Sequence, residues 1–240
     1  MHVDALDYAV GFTVVLVGAI VQGSIGFGLN LLSAPFIALV IPEALPATLV
    51  LVALPASITT VVREHHHLDL GTLRWMLVGA VPGTITGLLI VGHINGGDLA
   101  VLVGAITLVG VALSLLSRTI PVNPRTAVAA GFASNVFGTA ASVGGPPVAL
   151  LLQHHRGPVA RPTLGAFFAI SATISLIGYP IAGVITVDHI LFALALAPAM
   201  AIGLWASRHL HPFVDGGWLR PAVLGLSAIA GVAAIARGWV

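Results

Sequence analysis

Between Asp7 and Glu43 no residue carries a charge, and a second uncharged run extends from Thr126 to Gln153. A backbone surrounded by hydrocarbon must satisfy its own N–H and C=O groups, which makes helix the stable conformation for such runs. Each run nevertheless contains residues that break helices, Gln22-Gly-Ser-Ile-Gly-Phe-Gly28 in the first and Ser142-Val-Gly-Gly-Pro-Pro147 in the second. Glycine costs about 1 kcal/mol and proline about 3 kcal/mol in a helix interior. Broken backbone at membrane depth is tolerated only where protein buries it or where it lines a wet cavity.

Composition agrees with burial in lipid. Of the 240 residues 58% are hydrophobic and only 7% are charged, with a mean hydropathy of +1.09. Soluble domains carry about 25% charged residues. The chain therefore reads as an all-α integral membrane protein. A net charge of +1 argues against nucleic acid or another polyanion as partner. The absence of cysteine excludes disulfides, thiolate metal sites and a cysteine nucleophile. Met1 to Asp7 hold two acids and no arginine, unlike the basic start of a cleaved signal peptide, so the first apolar segment is expected to be retained.

Charges and turn residues divide the chain into apolar blocks at about 8–41, 44–62, 75–92, 99–117, 126–152, 163–187, 190–207 and 219–236. Six have the length of one crossing, while 8–41 and 126–152 are long and broken. Each long block is either one kinked crossing or a hairpin that enters and leaves on one side. Arginine decides between them, because basic residues collect in cytoplasmic loops. With two hairpins, Arg63, Arg74, Arg118, Arg125, Arg156, Arg161, Arg208 and Arg220 all share the cytoplasmic side, leaving only Arg237 apart. Asp4, Asp7, Glu43, Asp98 and Asp188 fall on the other face. Single crossings would move the last two arginine pairs outside, so the hairpin layout is expected.

An internal repeat supports it. Ser24-Ile-Gly-Phe-Gly28 pairs with Ser142-Val-Gly-Gly-Pro146, Thr48-Leu49 with Thr163-Leu164, and Pro82 to Leu88 with Pro198 to Leu204, at offsets of 118, 115 and 116 residues. The expected architecture is two inverted-topology repeats, 1–122 and 123–240, each a broken hairpin segment plus three transmembrane helices in one membrane domain. Inverted repeats with broken helices at the midplane are common in secondary transporters.

The residues at the breaks suggest what is bound there. Gly144 and Gly145 let a ligand approach the backbone, and Pro146 and Pro147 suit the first turn of a new helix of about 147–153. The start of such a helix offers free N–H groups and a positive dipole end to an anion. Gln22, Ser24 and Asn30 flank the first break, and Ser134, Asn135, Thr139 and Ser142 the second; all are neutral, and no acid or arginine is expected at the midplane. A cation site would be expected to show carboxylates. The pattern points to a small anion held by amides, hydroxyls and helix ends. The Gly79-x3-Gly83-x3-Gly87 series reads instead as helix packing.

The segment from Gly131 to Phe168, with Gly138, Ser142-Val-Gly-Gly-Pro-Pro147, Arg161 and Thr163-Leu164, resembles the second signature of the TauE/SafE sulfite exporter family. Gly18, Gly23 to Gly28 and Pro35 resemble the first, although many members have a denser glycine run there. The resemblance covers nearly the whole chain. It implies a multi-pass transporter of sulfite, sulfoacetate or related organosulfonates in the inner membrane of a prokaryotic cell. It also carries anion-binding positions onto Ser24, Gly26, Gly28, Ser142, Gly144, Gly145 and Pro146. Together with Gln22, Asn30, Asn135 and Thr139 these form the candidate substrate site, with Arg156 and Arg161 at its cytoplasmic mouth.

Other constellations weigh less. Contiguous histidines on a helix point about 100° apart and chelate poorly, so His65-His66-His67, His154-His155 and His209-x-His211 read as solvated loop residues rather than a metal site. A membrane-embedded enzyme would need a nucleophile and base, but Ser142 has no acid, lysine or histidine near it in sequence. The expected partners are a small anion and the lipid bilayer, with no catalytic role, no metal and no cofactor. A homodimer, and ion-coupled import of another small oxyanion, stay open.

Overall fold

The computed structural model describes residues 3–94, 96–116, 120–214 and 219–238, and all regular structure among them is helical. Arg118 lies outside them, as do the side chains of His209, His211 and Arg220. The first half contains α1 (Ala5–Ile25), α2 (Leu29–Val40), α3 (Ala47–Glu64), α4 (Leu70–Val91) and α5 (Gly96–Leu115). The second contains α6 (Pro124–Ala141), α7 (Gly145–Leu152), α8 (Gly157–Ile181), α9 (Val187–Val214) and α10 (Leu219–Gly238). Helices α1, α3, α4, α5, α8, α9 and α10 are long and apolar enough to cross a bilayer. Val78, Val81, Ile85 and Leu89 recur at helical spacing along α4 and are exposed, as are Leu191 and Leu194 on α9. Apolar stripes of this kind face lipid. The chain is a multi-pass membrane protein.

Local chemistry fixes the helix ends. Asn123 caps α6, accepting the N–H groups of Arg125 and Thr126 at 3.0 and 3.1 Å, and Pro124 occupies the first turn where its missing N–H costs nothing. Helix α1 stops at Gly26, whose φ of 90° suits glycine, and α6 stops at Ser142 with φ 64°. These left-handed caps lie 116 residues apart, so the two breaks align two positions away from the expected pairing of Ser24 with Ser142.

Each break returns the chain along the helix it has just left. Ser33 Oγ in α2 donates to the Val14 carbonyl of α1 at 3.0 Å, and a Cβ on Gly18 would lie 2.8 Å from the Leu29 carbonyl oxygen. In the second hairpin, Ser134 Oγ of α6 donates to the Gly144 carbonyl.

Interhelix bonds sort the helix ends into two groups. At one end, Arg161 pairs with Glu64, the Asp69 N–H donates to Thr163 Oγ1, and Arg63 reaches the Leu204 carbonyl. This arginine-rich end gathers the close of α3, the opening of α4 and α8, and the far part of α9. At the other, Thr48 Oγ1 donates to the His189 carbonyl and the His189 ring bonds the Glu43 carbonyl at 2.8 Å. Helix α1 runs parallel to α9, with Gly11 against Leu196 and Gly23 against Ser207. Helix α6 runs parallel to α4, with Gly79 against Val128 and Gly87 against Thr139. Since α9 opens at the acidic end and α4 at the arginine-rich end, α1 and α6 run in opposite directions. Helices α3 and α8 pair centrally, and α5 pairs with α10 through Gly104 and Gly231.

Candidate functional site

The return limbs α2 and α7 begin beside one another and run apart, α2 toward Glu43 and α7 toward Gln153. Their starts touch: a Cβ on Gly145 would lie 3.1 Å from Phe27 Cδ2. Around them is a cavity of about 80 Å³. About 10–15 Å³ of such space accommodates one water, so the cavity has room for a small oxyanion.

Seven of the residues expected at a substrate site line it: Gln22, Gly28, Asn30, Asn135, Ser142, Gly144 and Gly145. Four do not. Ser24 donates to the Ile20 carbonyl within its own helix and borders a second cavity. Gly26 lies under the stem of Arg161, and Pro146 packs on Gly110. Thr139 shares a hydrogen bond of 2.8 Å with Ser175, and its carbonyl accepts from Tyr179 Oη. The lining also includes Phe27, Ser57, Phe167, Phe168, Ser171 and Ser175, which were not expected. Ser171 and Ser175 had a sequence signal in two hydroxyls one helical turn apart within an apolar crossing.

Hydrogen bonding narrows the set of free donors. Ser142 Oγ lines the cavity but gives its proton to the Pro46 carbonyl at 2.8 Å. Ser134 gives its own to Gly144. Asn135 is engaged on both sides: its Nδ2 donates to the Gly131 carbonyl and Ser171 Oγ, and its Oδ1 accepts from Thr84. Gln22 and Asn30 differ. Gln22 is 6% exposed and brings its amide to the cavity, and Asn30 Oδ1, an acceptor, is buried without a partner. Buried polar groups are normally paired, so Asn30 Oδ1 calls for a donor from whatever fills the cavity. The first three N–H groups of α2 also have no intrahelical acceptor, since the first bond of that helix runs from the Leu32 N–H to the Gly28 carbonyl.

No lining residue among those described is charged. The local field therefore comes from amide dipoles and from the positive starts of α2 and α7. Among the described residues no three of His, Cys, Asp and Glu gather closely enough to hold a metal ion. His65, His66 and His67 form an exposed 3-10 turn after α3.

A second, larger cavity of about 300 Å³ lies toward the arginine-rich end, bordered by Ser24, Phe27, Gln153, His155 and Arg161. Arg161 sits inside α8 rather than in a loop, its Nε bonded to both Glu64 carboxylate oxygens at 3.1 and 2.9 Å. Arg156, which precedes α8, is exposed. Near this rim burial pushes the Asp69 carboxyl up, but bonds from the Thr72 hydroxyl and N–H outweigh it and hold the group below its ordinary range.

The family model described as "Sulfite exporter TauE/SafE" matches residues 10–234. The chain belongs to the TauE/SafE sulfite exporter family. The match spans both breaks and every helix that lines either cavity. TauE/SafE is a family of membrane transporters, which accords with a site of amides and helix starts. Neither curated proteins nor solved structures yield a match.

Proposed function

We propose that this TauE/SafE member exports sulfite or a related organosulfonate such as sulfoacetate across a prokaryotic inner membrane, with the anion held between the two helix breaks. The neutral amides of Gln22 and Asn30 lining the cavity beside the opening turns of α2 and α7 are the observation that carries this reading. Anions bind to helix starts and free N–H groups, and a charged ligand would take up the first N–H groups of α2, which have no intrahelical acceptor. Gly28, Gly144 and Gly145 bring backbone to the ligand, Ser142 and Asn135 hold the walls, and Arg156 and Arg161 collect anions at the cytoplasmic mouth.

The two halves, 1–122 and 123–240, are read as inverted copies that rock around this site. Two glycine contacts support the copies. A Cβ on Gly87 of α4 would lie 3.1 Å from Val136 O, 2.7 Å from Thr139 Cβ and 3.3 Å from Ala140 N of α6. A Cβ on Gly203 of α9 would lie 2.5 Å from Leu16 O, 2.7 Å from Ala19 Cβ and 3.2 Å from Ile20 N of α1. The same three atom types of the partner helix recur in each half, with α6 one turn further along than the alignment of the breaks gives.

Export has a simple driving force. Moving one negative charge outward across an inside-negative membrane gains about 2.3 kcal/mol per 100 mV. No coupling carboxylate is required, in keeping with the uncharged lining. The test is sulfite efflux from proteoliposomes with the membrane potential clamped at several values. Efflux should grow with the outward driving force on the anion. No efflux at any potential would remove sulfite as the substrate.

A further inference from the structure

Phe27 borders both cavities. It stands between Gly26 and Gly28, whose φ angles of 90° and 119° lie in the left-handed region. Glycine enters that region freely, whereas a side chain costs roughly 1–2 kcal/mol there, so the backbone on both sides of Phe27 has a wider choice of conformations than any other residue would allow. The ring rests against Gly145, where the missing side chain leaves it space, and the stem of Arg161 covers Gly26 from the other flank. The equivalent position of the second break, between Ser142 and Gly144, is Val143, which is fully buried and lines neither cavity.

The geometry points to Phe27 as a gate: its ring separates the central cavity from the second cavity, and rotation at Gly26 and Gly28 swings it aside for a small oxyanion. This rests on the proposed anion site. It adds direction, because the path past Phe27 leads toward Arg161 and the arginine-rich end, while Val143 packs the other break shut.

The chain has no cysteine, so single engineered thiols report access cleanly. Ala53→Cys lies in the central cavity and Ala160→Cys in the second. Each is labelled with a charged, membrane-impermeant thiosulfonate in vesicles of both orientations; the face that labels Ala160→Cys is the face of the second cavity. Minor conformers are typically about 0.1–10% populated. From that face Ala53→Cys should therefore label at least about tenfold more slowly than Ala160→Cys, and Phe27→Ala should remove the difference. Gly145→Ala, which puts a methyl group against the ring, should speed labelling in the same direction and decides the matter if Phe27→Ala fails to fold. Equal rates for Ala53→Cys with Phe27 present or replaced, or no acceleration by Gly145→Ala, would overturn the gate. Protection of Ala53→Cys by sulfite is scored separately. Its absence would count against the anion site without touching the gate, because labelling needs no substrate.

Discussion

Gly144→Leu should reduce sulfite efflux at least about a hundredfold while the helical bundle still assembles. A Cβ at this position would lie 2.7 Å from the Ser134 carbonyl oxygen and 3.1 Å from Gly138 Cα. Both are backbone atoms of α6, so no side-chain rotation can make room. The start of α7 must move off α6, breaking the bond from Ser134 Oγ to the Gly144 carbonyl and displacing Gly145 from the cavity wall. Overpacking costs about 1–3 kcal/mol, a modest burden for a bundle held elsewhere by α4 on α6, α1 on α9 and α5 on α10. Misplacing a binding group by about 1 Å can cost about 100-fold in rate. Transport should therefore fall far more than thermal stability in detergent. Gly225→Leu is the control, since nothing lies within 4 Å of a Cβ there. Equal loss of efflux in both variants would show that bulk, not the position of α7, is responsible.

Gln22→Leu and Asn30→Leu should act in opposite directions on binding and on stability. Both amides line the cavity, and Asn30 Oδ1 has no protein partner to strand. An unpaired buried polar group costs roughly 1–3 kcal/mol, and replacing it with an apolar side chain of similar size recovers part of that. The melting temperature should hold or rise. Hydrogen bonds to charged groups are worth about 1.5–3 kcal/mol, or roughly 10–100-fold in affinity, and that is the expected weakening of sulfite binding for each variant. Asn135→Leu provides the contrast, because it strands Thr84, Ser171 and the Gly131 carbonyl and should lower the melting temperature. Gln22 or Asn30 variants that lose stability and keep their affinity would reveal a packing role.

Much of this was legible in the sequence because membrane constraints are blunt. Two long uncharged runs, each with a break, could be placed without tertiary information, and charge spacing separated the arginine-rich end from the acidic end. The finer register was not visible. Ser24 and Ser142 look equivalent by residue type, yet the backbone turns left-handed at Gly26 and Ser142, and it is conformation that positions a cap. Nor can a sequence show where a hydroxyl proton goes. Ser24, Ser134, Thr139 and Ser142 all read as donors to an anion, but their partners are Ile20, Gly144, Ser175 and Pro46. Gln22 and Asn30 looked no stronger than these until the competing acceptors were located. Arg161 illustrates the same limit. It follows a loop by only a few residues, but α8 begins early enough to carry it across Gly26 and into its pair with Glu64.

The most direct test of the central claim is to locate the anion itself. Selenite is a pyramidal oxyanion like sulfite and scatters anomalously, so crystals of the purified protein grown with it should show one peak in the central cavity. That peak should lie within hydrogen-bonding reach of Gln22 Nε2, Asn30 Nδ2 and the first N–H groups of α2, and should disappear in Gln22→Leu. A peak seated on Arg161 in the second cavity, with the central cavity empty and efflux intact, would contradict the account.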